Sequence, residues 1–129
     1  MTPKEVPTLS PAEWKAMKVV WEMKSCAARD VYTEAAERYG WAVGTTKNLL
    51  HRLVQKGHLK TCQIGNSYLY EAVSSPLNCL RAAADTLLAN TVEGTTGPLF
   101  LHMVKKGKLS QEDISELRAL LDRLEKEAD

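Results

Sequence analysis

Residues 41–70 read WAVGTTKNLLHRLVQKGHLKTCQIGNSYLY, and the fold follows from how this stretch divides. Thr46, Leu49, Leu50, Leu53 and Val54 recur at i, i+3, i+4, i+7 and i+8, the spacing that gathers side chains on one buried stripe of an amphipathic helix. Gly44, Thr45, Lys47, Asn48, His51, Arg52 and Gln55 occupy the opposite face, and nearly all of them can donate or accept hydrogen bonds on base edges or phosphates. Gly57 stops the helix, at a position where a left-handed cap favours glycine. Beyond it, residues 58–63 and 67–73 are two short runs carrying Ile, Leu, Tyr and Val, joined by Gly65-Asn66, a strong two-residue hairpin signal. A helix running into such a hairpin is the second half of a winged helix.

Charge sharpens this reading. No Asp or Glu occurs between residues 38 and 70, whereas Arg38, Lys47, Arg52, Lys56 and Lys60 are cationic and His51 and His58 could become so. A segment free of acids, with polar residues interspersed, suits a surface laid against phosphates. Over the whole chain the net charge is only +1. Divided after Val73, the first part carries ten Lys/Arg against seven acids and the rest seven against nine, so basic and acidic work are separated along the chain.

A length of 129 residues with 44% hydrophobic content fits one domain, or a small domain with an appendage, and excludes a disordered chain. Cys26, Cys62 and Cys79 are odd in number and widely spaced, with no secretion signal ahead of them. They read as reduced thiols of a cytoplasmic protein. No apolar run approaches the roughly 20 residues of a membrane span. No CxxC, CxC or HxxxH pair suggests a metal, and no cofactor is expected.

Taken in order, residues 1–8 with their two prolines read as a flexible arm. Helix-start signals then coincide: Ser10 as N-cap, Pro11 at the first position, Glu13 as capping-box partner and Leu9 stapled to Trp14. Trp14, Met17, Val20 and Trp21 fall on one side of this helix and read as core. The connection at residues 25–28 can supply a short strand to the wing. A second helix over Ala28–Tyr39 buries Val31, Tyr32, Ala35, Ala36 and Tyr39, and Gly40 ends it, with Trp41 plugging the following turn. Past the wing, Ser74 or Ser75 caps a helix from Pro76 with Leu77, Leu80, Ala84, Leu87, Leu88 and Thr91 along one stripe. A short helix over residues 98–106 carries Leu99, Phe100, Met103 and Val104. Ser110 then caps a last helix whose Ile114, Leu117, Leu121 and Leu124 form a seam that Leu120 widens. These three helices are too small to close a core of their own, so they are expected to pack on a second copy.

The expected architecture is therefore mainly α with a small β wing, a winged helix-turn-helix domain over residues 9–73 followed by a helical dimerisation region over 74–129. Thr45, Lys47, Asn48 and His51 are candidates to face bases, with Thr46 counted beside them. Arg52, Lys60, Gln63, Asn66, Ser67 and Tyr68 are candidates for the DNA backbone or the neighbouring minor groove. The dimer interface is expected at Leu77, Leu80, Ala84, Leu87, Leu88, Leu99, Phe100, Met103, Val104, Ile114, Leu117, Leu121 and Leu124. An alternative is a winged-helix module that binds protein instead of DNA. Catalysis is not expected, because His51, His58 and His102 have no carboxylate or cysteine partner at motif spacing.

The pattern LSPAEWKAMKVVWE, then W-x-x-x-T-T-K-x-L-L-x-R-L-V-x-K-G-x-L, then a hairpin ending YLYEAV, resembles the penicillinase repressor family of beta-lactamase, methicillin-resistance and copper-responsive repressors. The likeness resumes at LFLHMVKKGKLSQEDISELRALLDRL, similar to the family's dimerisation segment. It implies a homodimeric winged-helix repressor on a palindromic double-stranded operator, controlling beta-lactam-resistance or related genes and released by a signal. In the beta-lactam-responsive branch a signal-activated protease cuts the repressor at a junction that corresponds here to His102-Met103, where the family has Asn-Phe. Two further departures stand out. Ala42, Val43 and Gly44 replace the Ser-Pro-Lys that commonly opens the recognition helix, and the copper branch's clustered C-terminal cysteines are absent.

Overall fold

The computed structural model describes residues 7–128. Its elements run α1 (Pro11–Met23), β1 (Cys26–Ala27), α2 (Ala28–Tyr39), α3 (Val43–Gln55), β2 (Leu59–Ile64), β3 (Ser67–Ala72), α4 (Pro76–Ala89), α5 (Thr96–Lys106) and α6 (Gln111–Glu127). The strands form one antiparallel sheet in the order β1-β3-β2. This is a mainly helical chain with a winged-helix arrangement at its N-terminal end.

Local chemistry sets most boundaries. Ser10 accepts from the Glu13 N–H while the Glu13 carboxylate accepts from the Ser10 N–H at 2.8 Å, a reciprocal box that fixes the start of α1. At the end of α3 the His58 N–H bonds to the Leu53 carbonyl and the Gly57 N–H to that of Val54. This is a Schellman closure, and it needs the left-handed φ of +85° that Gly57 supplies. Gly65, at φ +62°, takes the first central position of the two-residue turn between Ile64 and Ser67, as a type II′ hairpin requires. Ser75, not Ser74, caps α4, accepting from the Asn78 N–H. Ser110 and Asp113 repeat the capping box on α6. The expected short strand before α2 exists as β1, pairing Cys26 with Tyr70 and Ala27 with Leu69.

The chain divides into two compact units, the first ending at Leu87 and the second beginning at Leu88. In the first, Ala16, Met17, Val19, Val20, Cys26, Val31, Leu49, Leu50, Leu53 and Leu59 form the core, with Trp21, Tyr32, Tyr39, Trp41 and Val54 packed half-buried around it. Three expectations are corrected. Trp14 and Trp21 are only half-buried, standing 6.0 Å apart at the rim. Ala36 is exposed, because it lies past the edge of the stripe that Val31 and Ala35 turn inward. His58 is not a surface cation: it is fully buried, with both ring nitrogens engaged. Its Nε2 donates to the Pro7 carbonyl at 2.8 Å, and its Nδ1 is hydrogen-bonded to the Ser74 hydroxyl at 2.9 Å. Of the arm expected over residues 1–8, the first six lie outside the described residues, while the Pro7 and Thr8 carbonyls accept from His58 and Lys56.

Within the second unit no described residue is buried, and Thr91, Leu99, Ile114 and Leu117 are half-buried at most. Of the expected interface residues, Leu77, Leu80, Leu87, Leu88, Phe100, Met103, Val104, Leu121 and Leu124 are all exposed, and Ala84 is half-buried. The face of α4 that turns inward is the one with Cys79, which packs 3.9 Å from His58 Nδ1.

Candidate nucleic-acid interface

Helix α3 presents Gly44, Thr45, Lys47, Asn48, His51, Arg52 and Gln55 as one exposed face. The helix opens without an acid in its first turn and without a side-chain cap, since Ala42 has none to offer. Its N-terminal end is thus electropositive and carries no competing carboxylate. Thr46 does not belong to this face. It is fully buried, and its hydroxyl finds no partner among the described residues, so its expected contact with DNA is withdrawn: the 100° step per residue turns it inward with Leu49, Leu50 and Leu53.

Charge is distributed less evenly than the acid-free stretch suggests. Arg38 donates to Glu22 and, at 2.6 Å, to Glu34, and these partners push its guanidinium pKa up. Lys56 is held by the buried Glu13 carboxylate at 2.7 Å and donates also to the Thr8 carbonyl. Burial pushes the Glu13 carboxyl up, but the hydrogen bonds from Lys56 and Ser10 outweigh it, and the net pKa is lowered. Lys60 lies 3.4 Å from its cross-strand neighbour Glu71. Among the described residues, Lys47 and Arg52 are the two cations of the segment without an ion pair, and both stand on the α3 face.

The wing supplies the other exposed polar groups. Gln63, Asn66, Ser67 and Tyr68 cluster at the hairpin tip, where Gln63 pairs across the ladder with Tyr68 and donates to the Gly65 carbonyl. Ile64 beside them is 60% exposed. Sequence reasoning noted Val43 and Gly44 as departures at the helix opening and placed Gly44 on the polar face, but gave no role to Val43, which is 56% exposed at the first position of α3. The signal available was a glycine inside a helical pattern, which needs a reason.

Other reactive groups are placed for structure. Cys26 and Cys79 are buried, and burial raises both thiol pKa values, which keeps them protonated and unreactive. Among the described residues no group of His, Cys, Asp or Glu is arranged to hold a metal ion, and no helix is long and apolar enough to cross a membrane.

Comparison with known proteins agrees with this arrangement. The profile of the penicillinase repressor family matches residues 9–123. The penicillinase repressor of Bacillus licheniformis is 28% identical over 119 residues, covering 92% of this chain and 93% of that protein. The methicillin resistance regulatory protein MecI of Staphylococcus aureus (strain N315) is 26% identical over 115 residues, covering 89% and 94%. The solution structure of the DNA-binding domain of the repressor BlaI superimposes with a TM-score of 0.53 at 29% identity, covering 59% of this chain and 93% of that one. A second solution structure, of monomeric Bacillus licheniformis BlaI with the blaP half-operator, gives the same values. With a match over nearly the whole length, on a winged helix whose exposed helix face holds the segment's two unpaired cations, the chain belongs to the penicillinase repressor family of DNA-binding transcriptional repressors.

Proposed function

We propose that the chain acts in the cytoplasm as a homodimer on a palindromic operator, with α3 of each copy in a major groove. The observation that carries this reading is the α3 face, exposed along its length, free of acids and bearing Lys47 and Arg52, which have no ion pair among the described residues. Thr45, Lys47, Asn48 and His51 contact base edges. Arg52, with Lys60, Gln63, Asn66, Ser67 and Tyr68 from the wing, contacts backbone or minor groove. Half-sites then lie about one helical turn apart, or a multiple of it.

The dimer is supported by the apolar side chains that α4, α5 and α6 leave in solvent. Leucines at 54%, 55%, 62% and 51% exposure (Leu77, Leu80, Leu121, Leu124) are more than a small monomer ordinarily shows. A second copy burying Leu77, Leu80, Ala84, Leu87, Leu88, Leu99, Phe100, Met103, Val104, Ile114, Leu117, Leu121 and Leu124 would supply the core the second unit lacks. The likeness to a penicillinase repressor and a methicillin resistance regulatory protein supports beta-lactam-resistance or related genes as the regulated class. The matching partner is a signal-activated protease acting at His102-Met103.

Titrating duplexes that contain the operator at several salt concentrations tests the reading. Affinity should fall with a slope of about −0.9 in log–log terms for each phosphate neutralised. Lys47→Ala and Arg52→Ala should each weaken binding without unfolding the protein. A uniform loss on all sequences with a slope smaller by about 1 marks a phosphate contact, and relaxed preference at one base pair marks a reader. A flat salt response would contradict operator binding through this face.

A further inference from the structure

Gly44 is a glycine for which the chain itself has no use. Gly40, Gly57, Gly65 and Gly94 all have a left-handed φ, and a side chain at Gly107 would press on the Met103 carbonyl at 3.0 Å. Gly44 has neither reason. Its φ lies outside the left-handed region, and a Cβ added to it meets no atom within 4 Å. Gly97, in the first turn of α5, shares the absence of both reasons, but it is Gly44 that stands on the exposed face of α3. In the first turn of a helix it only weakens the helix relative to alanine. The open space at Gly44 therefore faces outward, toward whatever α3 docks on.

The surroundings give that space a chemistry. On a helix surface the neighbours of residue 44 are Lys47 and Asn48, one turn on, while Val43 and Thr45 adjoin it in the chain and point about 100° to either side. Val43 is 56% exposed, and Thr45, Lys47 and Asn48 are exposed as well. Gly44 is thus a notch one side chain wide in the α3 face, walled by an exposed valine and bordered by the hydroxyl, ammonium and amide groups of the other three. Within a major groove, the apolar group that projects from a base edge is the 5-methyl of thymine, and small apolar surfaces are what recognise it. A glycine beside a solvent-facing valine fits that methyl, whereas a cation or a larger side chain would fill the space.

We propose that the notch at Gly44, with Val43 as its wall, seats the 5-methyl group of a thymine in each half-site and so selects a T·A pair there. The inference rests on α3 being the major-groove element. It makes shape the recognition signal.

A methyl can be moved from one partner to the other to test this. Sites are selected from a random duplex pool with the full-length protein, and each thymine of the selected site is replaced in turn by deoxyuridine, which removes the 5-methyl alone. One thymine per half-site should prove sensitive, the wild type losing about fourfold in affinity, the effect of one buried methyl. Gly44→Ala puts a methyl into the notch. It should melt at a higher temperature than the wild type, bind the thymine site about fourfold or more weakly, and recover on the deoxyuridine site. Indifference of the wild type to every thymine replacement overturns the proposal. So does a Gly44→Ala variant that loses equally on both duplexes. A protein that selects no sequence overturns the reading of α3 as a major-groove element, and this inference with it.

Discussion

At the scale of single residues, the exposed face of α3 depends on groups buried beneath it. Glu13 is fully buried, yet its carboxyl pKa is lowered, because the Lys56 ammonium and the Ser10 backbone amide donate to its carboxylate and outweigh the cost of burial. That pair ties the start of α1 to the end of α3 and holds α3 against its scaffold. Because the folded pKa lies below the ordinary value of 4.5, the stabilisation is fully present above that pH and is lost as the pH falls through the folded value. Glu13→Gln should therefore cost about 1–3 kcal/mol at neutral pH, with the difference from wild type shrinking in melts below pH 4.5. A pH-independent difference would mean that Glu13 acts by packing alone. Lys24 offers the opposite opportunity. It closes α1 at φ 65° and ψ −99°, a conformation that strains any residue with a Cβ. Lys24→Gly should raise stability by about 1 kcal/mol, the usual lower bound for relieving such strain, and unchanged or reduced stability in urea melts would refute it.

Among the elements, α4 decides where the winged helix ends. The Val73 N–H bonds to the His58 carbonyl, Trp21 donates its indole N–H to the Ser74 carbonyl at 2.8 Å, and Cys79 is buried near His58. The first turns of α4 thus complete the packing around a buried histidine whose other partner is Pro7. A fragment ending at Val73 loses the Cys79 contact and exposes His58. It should melt below a fragment ending at Leu87, by several degrees for each 1 kcal/mol lost in a domain of this size. Equal melting temperatures would show that α4 adds nothing to the winged helix. The shorter fragment should also sediment as a monomer, since it lacks every residue assigned to the dimer interface.

For the whole molecule, the proposed release mechanism runs through the helical tail. Two half-site contacts joined in one dimer reinforce each other through effective concentration, so separating the tail lowers the affinity of both. His102 and Met103 lie inside α5, which spans Thr96–Lys106, and both are exposed. A protease needs that helix to open locally before it can cut. In cells given a beta-lactam, the chain should shorten to a product ending near His102 as repression is lifted. A full-length chain during derepression would remove the protease from the mechanism.

Local chemistry was enough for the elements themselves. The capping box at Ser10, the cap at Ser110, the glycines at 57 and 65 and the apolar spacing along α3 each act within a few residues, so helix ends, hairpin and the exposed face of α3 could be read from the sequence. What the sequence did not reveal were pairings made over long separations. Glu13 reaches Lys56 across 43 positions and Glu22 reaches Arg38 across 16, removing two of the five cations that a linear reading counts toward DNA. The arm carbonyl of Pro7 and the hydroxyl of Ser74 meet on His58, turning an apparent surface histidine into a core one. Thr46 went inside because helix phase against α1 and α2, not its hydroxyl, fixes its direction. Periodicity and capping are properties of neighbours in the chain; neutralisation and burial of a polar group depend on which distant segment packs beside it, and only the tertiary structure decides that.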